Sequence, residues 1–170
     1  MTQTSVHLYA YGYRERGTYL AATIFALGNI VLPQLFHLVP QGGMTWLPIY
    51  FFTLIGAYKY GWRVGLLTAI ASPMVNSALF GMPAPAVLPA ILTKSALLAL
   101  AAGYTAQRLG RVSLWALAAV VATYQATGTL AEWALSGSLH TALQDVRMGL
   151  PGMALQIVGG YIVLRYLLRR

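Results

Sequence analysis

The sequence predicts an all-α, polytopic membrane protein with six transmembrane helices and both termini on the cytoplasmic side. Three observations carry that prediction. Apolar residues make up 58% of the chain and charged residues only 8%, where a soluble domain carries about 25% charge. Gly, Pro and charged residues cut the chain into apolar pieces of about the length a bilayer core requires. The basic residues fall in short turns between those pieces, nearly all on one side. A water-soluble fold of 170 residues would need far more charge to cover its outside, and the length fits one domain.

The first piece, residues 1–17 (MTQTSVHLYAYGYRERG), lacks the apolar core of a signal peptide. It reads as a cytoplasmic or interfacial arm with Tyr9, Tyr11 and Tyr13 at headgroup depth. Residues 18–170 form the six-helix domain. Its spans are expected near 18–39, 46–60, 63–80, 86–107, 112–136 and 148–168. The second is short, and Pro48 opens it as a first-turn proline. Of the 11 Lys and Arg residues, Arg14, Arg16, Lys59, Arg63, Arg108, Arg111, Arg165, Arg169 and Arg170 fall on one side, which sets that side in the cytoplasm. Lys94 and Arg147 are the exceptions.

A net charge of +8 raises the question of nucleic acid. That reading needs basic residues gathered on one solvated face, and here they punctuate apolar runs. Cysteine is absent, which excludes a disulfide framework and any Cys-based metal site. His7, His37 and His140 stand apart with no helical pairing, so no metal site is expected. The chain has no HExxH, no GxSxG elbow, no Walker A loop and no paired carboxylates in one span. No catalytic residue and no cofactor is therefore expected, and an energy source would have to come from another protein.

Helical rise of about 1.5 Å per residue assigns a depth to each polar residue in a span. Asn76 lies near the outer end of span three, in line with Ser72 and Thr68. Lys94 lies about two turns below the outer end of span four. Gln125, Thr129 and Glu132 share a stripe on span five that rises toward the outer surface. Gln156 lies about two turns into span six, on the face of Gly152 and Gly159. Four helices thus direct polar groups into the outer half of the bundle, the pattern of a cavity open to the outside. An ionisable group at such depth faces protein or water and is a functional candidate.

Two readings of Lys94 and Glu132 stand side by side: a ligand site, or snorkelling and a structural bridge between them. For Asn76, Gln125 and Gln156 the competing reading is interhelical hydrogen bonding. Tyr124, Trp133 and Trp46 supply rings on which a ligand could stack. The outer loop Pro40-Gln-Gly-Gly-Met-Thr-Trp46 has paired glycines, Gly42 and Gly43, and with Met44 and Trp46 it has the chemistry of a lid or of an ordinary interfacial turn. The turn Gly81–Pro85 forms a stiff rim. Ala22 and Ala26, with Gly28 nearby, give span one a smooth strip for packing a partner helix.

The segments HLVPQGGMTWLPIYFFTLIGAYKYGWRVGLLTAIASPMVNSALFGMP (37–83) and GLPGMALQIV (149–158) carry a further signal. With six helices, a Pro/Gly-rich first outer loop and a SPxxxxxxxGMP segment, the chain resembles the substrate-binding S components of energy-coupling factor (ECF) vitamin transporters. The resemblance covers approximately residues 20–168. It implies a non-enzymatic protein of the bacterial or archaeal cytoplasmic membrane that captures a micronutrient between the first loop and spans four to six. It also implies partners, a transmembrane coupling protein and two cytoplasmic ATPase subunits, with Ala22 and Ala26 as the docking strip. A buried Lys94 ammonium suits an anionic ligand group, such as the carboxylate of a pantothenate-like or lipoate-like compound. The alternative is a non-transport scaffold subunit of a cell-envelope or cell-shape complex, which needs no polar outer cavity. An intramembrane enzyme lacks its nucleophile and base, and an autonomous carrier lacks the repeated halves and broken helices expected of one.

Overall fold

The computed structural model describes residues 8–168, and for Asp145 the backbone only. The first seven residues, with His7, and the basic pair Arg169 and Arg170 lie outside the described residues. The chain runs through α1 (Arg16–Phe36), α2 (Gly42–Trp46), a 3-10 turn (Pro48–Tyr50), α3 (Phe51–Tyr60), α4 (Trp62–Phe80), α5 (Leu88–Leu109), α6 (Leu114–Ser136), α7 (Leu139–Met148) and α8 (Leu150–Leu168). No strand occurs among the described residues. Five helices, α1, α4, α5, α6 and α8, are long and apolar enough to cross a membrane. The architecture is that of a polytopic membrane protein.

The stretch expected as a second span, 46–60, takes a different form. Pro48 does open a first turn, but of a 3-10 segment, and only ten residues of α-helix follow. The physical reason is that α3 does not face lipid. It packs against α1, α4, α5 and α8, and Thr53 through Tyr58 are all buried, with Leu54, Ile55, Ala57 and Tyr58 fully so. Irregular backbone at membrane depth is tolerated where protein surrounds it. Just before it, Leu47 takes a left-handed conformation at φ 47° and ends α2. A buried leucine so placed is strained by about 1–2 kcal/mol, and its burial at 5% exposure holds it there.

Helices α1 and α4 are tied by side chains as well as by packing. Pro33 inside α1 has no N–H, so the carbonyl four residues earlier, on Asn29, loses its helical donor. Asn76 of α4 supplies the replacement through its side-chain amide at 2.9 Å. Asn29 itself is fully buried and acts as a hub. Its Nδ2 donates to Thr53 Oγ1 at 2.9 Å and to Ser72 Oγ at 3.3 Å. Its Oδ1 accepts the backbone N–H of Phe52 at 3.0 Å, serving one of the donors that a helix start leaves open. The outward face of α1 carries Leu20, Ile24, Leu27, Val31 and Leu35, each more than half exposed.

At one end of the bundle the chain is knitted together. The arm expected at headgroup depth docks there, with Tyr9 N–H donating to Lys59 O at 2.9 Å and Tyr11 N–H to Tyr60 O at 3.3 Å. The rings of Tyr9 and Tyr11 stack on Tyr60 at 5.5 and 5.6 Å. Tyr13 meets Trp62 edge-on. Lys59 Nζ donates to Leu167 O at 2.8 Å, and the Tyr58 hydroxyl donates to Arg111 O at 2.8 Å. The opposite end holds α2, the 81–87 turn and α7.

Candidate functional site

The site is built on α6, which packs against both α5 and α8. Lys94 on α5 is 0% exposed, and its Nζ pairs with Glu132 Oε2 of α6 at 2.5 Å. The stem of Lys94 lies across Gly128, one turn below Glu132. A Cβ at Gly128 would stand 2.6 Å from Lys94 Cγ, so only glycine lets this lysine pass between the two helices. The two charges expected from separate spans are therefore brought together, within hydrogen-bond reach.

Beside the pair lies a layer of buried polar groups. Tyr124 OH donates to Gln156 Oε1 at 2.9 Å, joining α6 to α8. Ser95 Oγ, both polar atoms of the Gln125 side chain, Thr129 Oγ1 and Gln156 Nε2 are buried with no hydrogen-bond partner among the described residues. Gln125, Thr129 and Glu132 share one face of α6, as their spacing requires, and that face is turned inward at Gln125 and Thr129.

Above this layer is a cavity of about 380 Å³. Its walls come from the end of α1 (Pro33, His37), the loop and α2 (Gly42, Gly43, Met44), the turn at Met82 and Pro83, and Ile91 of α5. Tyr50 lines it from below and packs its ring against Tyr124 at 5.6 Å. Ile91 precedes Lys94 by one helical turn. The cavity wall is thus linked through Tyr50 to Tyr124 and on to Gln156. Over the far side, α2 lies directly on α8. A Cβ at Gly152 would fall 2.5 Å from the backbone carbonyl of Trp46, so α2 and the start of α8 touch backbone to backbone.

Of the residues singled out in the sequence, Lys94, Glu132, Gln125, Tyr124 and Gln156 lie on α5, α6 and α8, and none of them lines the cavity. Asn76 does not join them. Its amide is engaged with Asn29 O and with Gln34 Nε2 at 3.1 Å, because α1 and not α5 presents partners at that level. Trp133 is 46% exposed and stands on the outside of α6, and the Trp46 ring packs at a tilt against Phe36 at 5.7 Å. Among the expected lid residues, Gly42, Gly43 and Met44 line the cavity.

Ala22 and Ala26 are 6% and 8% exposed and face the chain's own core, with Ala22 O accepting from Thr68 Oγ1 at 3.4 Å. The strip expected to dock a partner is filled by packing within the chain. Small residues mark a close helix contact without saying which helix makes it. No group of three His, Asp or Glu gathers among the described residues; His37 borders the cavity and His140 lies on α7.

Sequence reasoning missed Asn29 and α7. The signal for Asn29 was its spacing of four before Pro33, which places a freed carbonyl and an amide on one residue. The signal for α7 was the amphipathic run LHTALQDVRM. No family model, curated protein or solved structure matches the chain.

Proposed function

We propose that the chain is the substrate-capture subunit of an ECF-type importer, binding a small water-soluble vitamin or related micronutrient at its outer end. In this reading it crosses the cytoplasmic membrane of a bacterium or archaeon six times, α3 being the second crossing. Both termini lie in the cytoplasm, by the positive-inside rule. A transmembrane coupling protein and two cytoplasmic ATPase subunits supply the energy, and the chain itself performs no catalysis.

The observation that carries the reading is the unpartnered polar layer beneath the lidded cavity. A buried polar atom left without a partner costs about 1–3 kcal/mol, and four such side chains stand on α5, α6 and α8, two of which carry the ion pair. Packing alone gives no reason to retain them; a ligand that hydrogen-bonds to Gln125, Thr129 and Gln156 does. A carboxylate on that ligand would take the Lys94 ammonium, while Glu132 would hold an amine or hydroxyl. Access from the cavity requires Tyr50 to swing off Tyr124, and α2 then closes the mouth.

The test is mass spectrometry of small molecules released from gently purified protein, run in parallel on Lys94→Ala and Glu132→Ala. A polar metabolite retained by the parent and lost from both variants is the expected result. A parent that retains no small molecule, or variants that retain the same one equally, would overturn the reading and leave the scaffold alternative. For the topology, a periplasmic reporter fused after Arg170 should be inactive.

A further inference from the structure

A groove of about 480 Å³ runs along the outside of α5 and α6, lined by Leu97, Leu100, Ala101, Tyr104, Thr123 and Thr127, with Trp62 and Gln107 at its basic end. It lies on the surface these helices turn to lipid, and Lys94 is not among the residues that line it. Thr127 donates its hydroxyl to the carbonyl of Thr123 at 2.7 Å, so its proton is held by its own helix. From Leu97 to Gln107 the groove follows ten residues of helix, about 15 Å, which is about half the hydrocarbon thickness of a bilayer. That is the reach of one acyl chain within one leaflet.

The basic end of the groove has a particular chemistry. Trp62 sits against Gly103, where a Cβ would come within 2.6 Å of the Trp62 backbone nitrogen. The Arg63 guanidinium lies over the Trp62 ring at 4.7 Å, and the Arg108 guanidinium lies over the Tyr104 ring at 5.2 Å. Both aromatic rings at the mouth therefore carry a cation. The chain has three acidic residues, Glu15, Glu132 and Asp145. Glu132 belongs to the Lys94 pair, Asp145 is on α7 at the other end, and Glu15 accepts the Gly12 N–H at 2.8 Å.

We infer that this groove binds an anionic glycerophospholipid of the leaflet on the basic side. One acyl chain lies along Leu97, Leu100 and Ala101, and the phosphate meets Arg63 and Arg108. Basic pockets between helices at the membrane surface are suited to such headgroups, and aromatic side chains at headgroup depth fix the level.

The test uses the full chain with Trp115→Phe, which removes the most exposed tryptophan among the described residues, reconstituted in phosphatidylcholine vesicles. Dibrominated phosphatidylglycerol or dibrominated phosphatidylcholine is added at rising mole fraction. The difference between this chain and its Trp62→Phe derivative isolates quenching of Trp62. The anionic lipid should quench with an apparent association constant on the order of tenfold above the neutral one. The double variant Arg63→Gln/Arg108→Gln should bring the ratio to about one, since each guanidinium supplies part of the attraction. Ala101→Phe, which fills the groove, should weaken quenching by both lipids. Equal quenching of Trp62 by the two lipids, with Arg63 and Arg108 intact, would overturn the proposal. Unchanged selectivity in the double variant, or displacement of the lipid by inorganic phosphate in excess, would overturn it as well.

Discussion

Replacing Asn29 by alanine removes the hub that joins α1, α3 and α4. Two side-chain bonds are lost, to Thr53 Oγ1 and Ser72 Oγ, each worth about 0.6 kcal/mol in a membrane bundle. The Phe52 N–H loses its acceptor. At membrane depth no water replaces it, which adds about 1–3 kcal/mol. The expected loss is therefore about 2–4 kcal/mol. At roughly 2–4 °C per kcal/mol for a chain of this size, the thermal midpoint in detergent should fall by about 4–16 °C. Thr53→Val, which removes one of the two side-chain bonds and leaves the Phe52 N–H satisfied, is the comparison and should cost about 0.6 kcal/mol. Reversible unfolding in mixed micelles measures both. If Asn29→Ala lies within about 0.5 kcal/mol of the parent, or costs no more than Thr53→Val, the hub argument is wrong.

Two further outcomes are expected. Gly152→Ala drives a methyl into the Trp46 carbonyl, a clash with backbone that no rotamer relieves. It should cost about 1–3 kcal/mol and speed proteolysis in the 40–47 loop, whereas an unchanged cleavage pattern would show that α2 does not rest on α8. Ala22→Leu should destabilise by about 1–3 kcal/mol through overpacking, while Ile24→Ala on the lipid face should change stability by less than about 0.5 kcal/mol. Melting curves showing the reverse order would place Ala22 on the outside of the bundle.

The long spans were legible because hydropathy and basic punctuation report directly on lipid contact. Spans expected near 63–80 and 148–168 are helices at Trp62–Phe80 and Leu150–Leu168. The form of the stretch expected as a second span was not legible in the same way, since a helix enclosed by protein is under no obligation to be long. At the site, the depth argument placed Lys94 and Glu132 in the outer halves of neighbouring spans, and their opposite charges made a bridge between them one of the two readings. It failed for Asn76, because depth along a helix says nothing of which neighbour stands opposite. What stands opposite was set by Pro33, whose missing N–H created an acceptor on α1. The orientation of Ala22 was hidden for a related reason: abundant alanine leaves a helix with several smooth faces, and only the set of exposed branched residues shows which one meets lipid.

The ten residues of α3 have a consequence for biosynthesis. A segment of about 15 Å covers about half of the hydrocarbon layer and offers little for the insertion machinery to retain. Its six consecutive enclosed positions acquire their surroundings only when α4, α5 and α8 are in place, and all three follow it in the chain. The enclosure of α3 is therefore completed only after α8 has been made, and a nascent chain cut short before residue 150 would hold α3 without the wall that α8 provides.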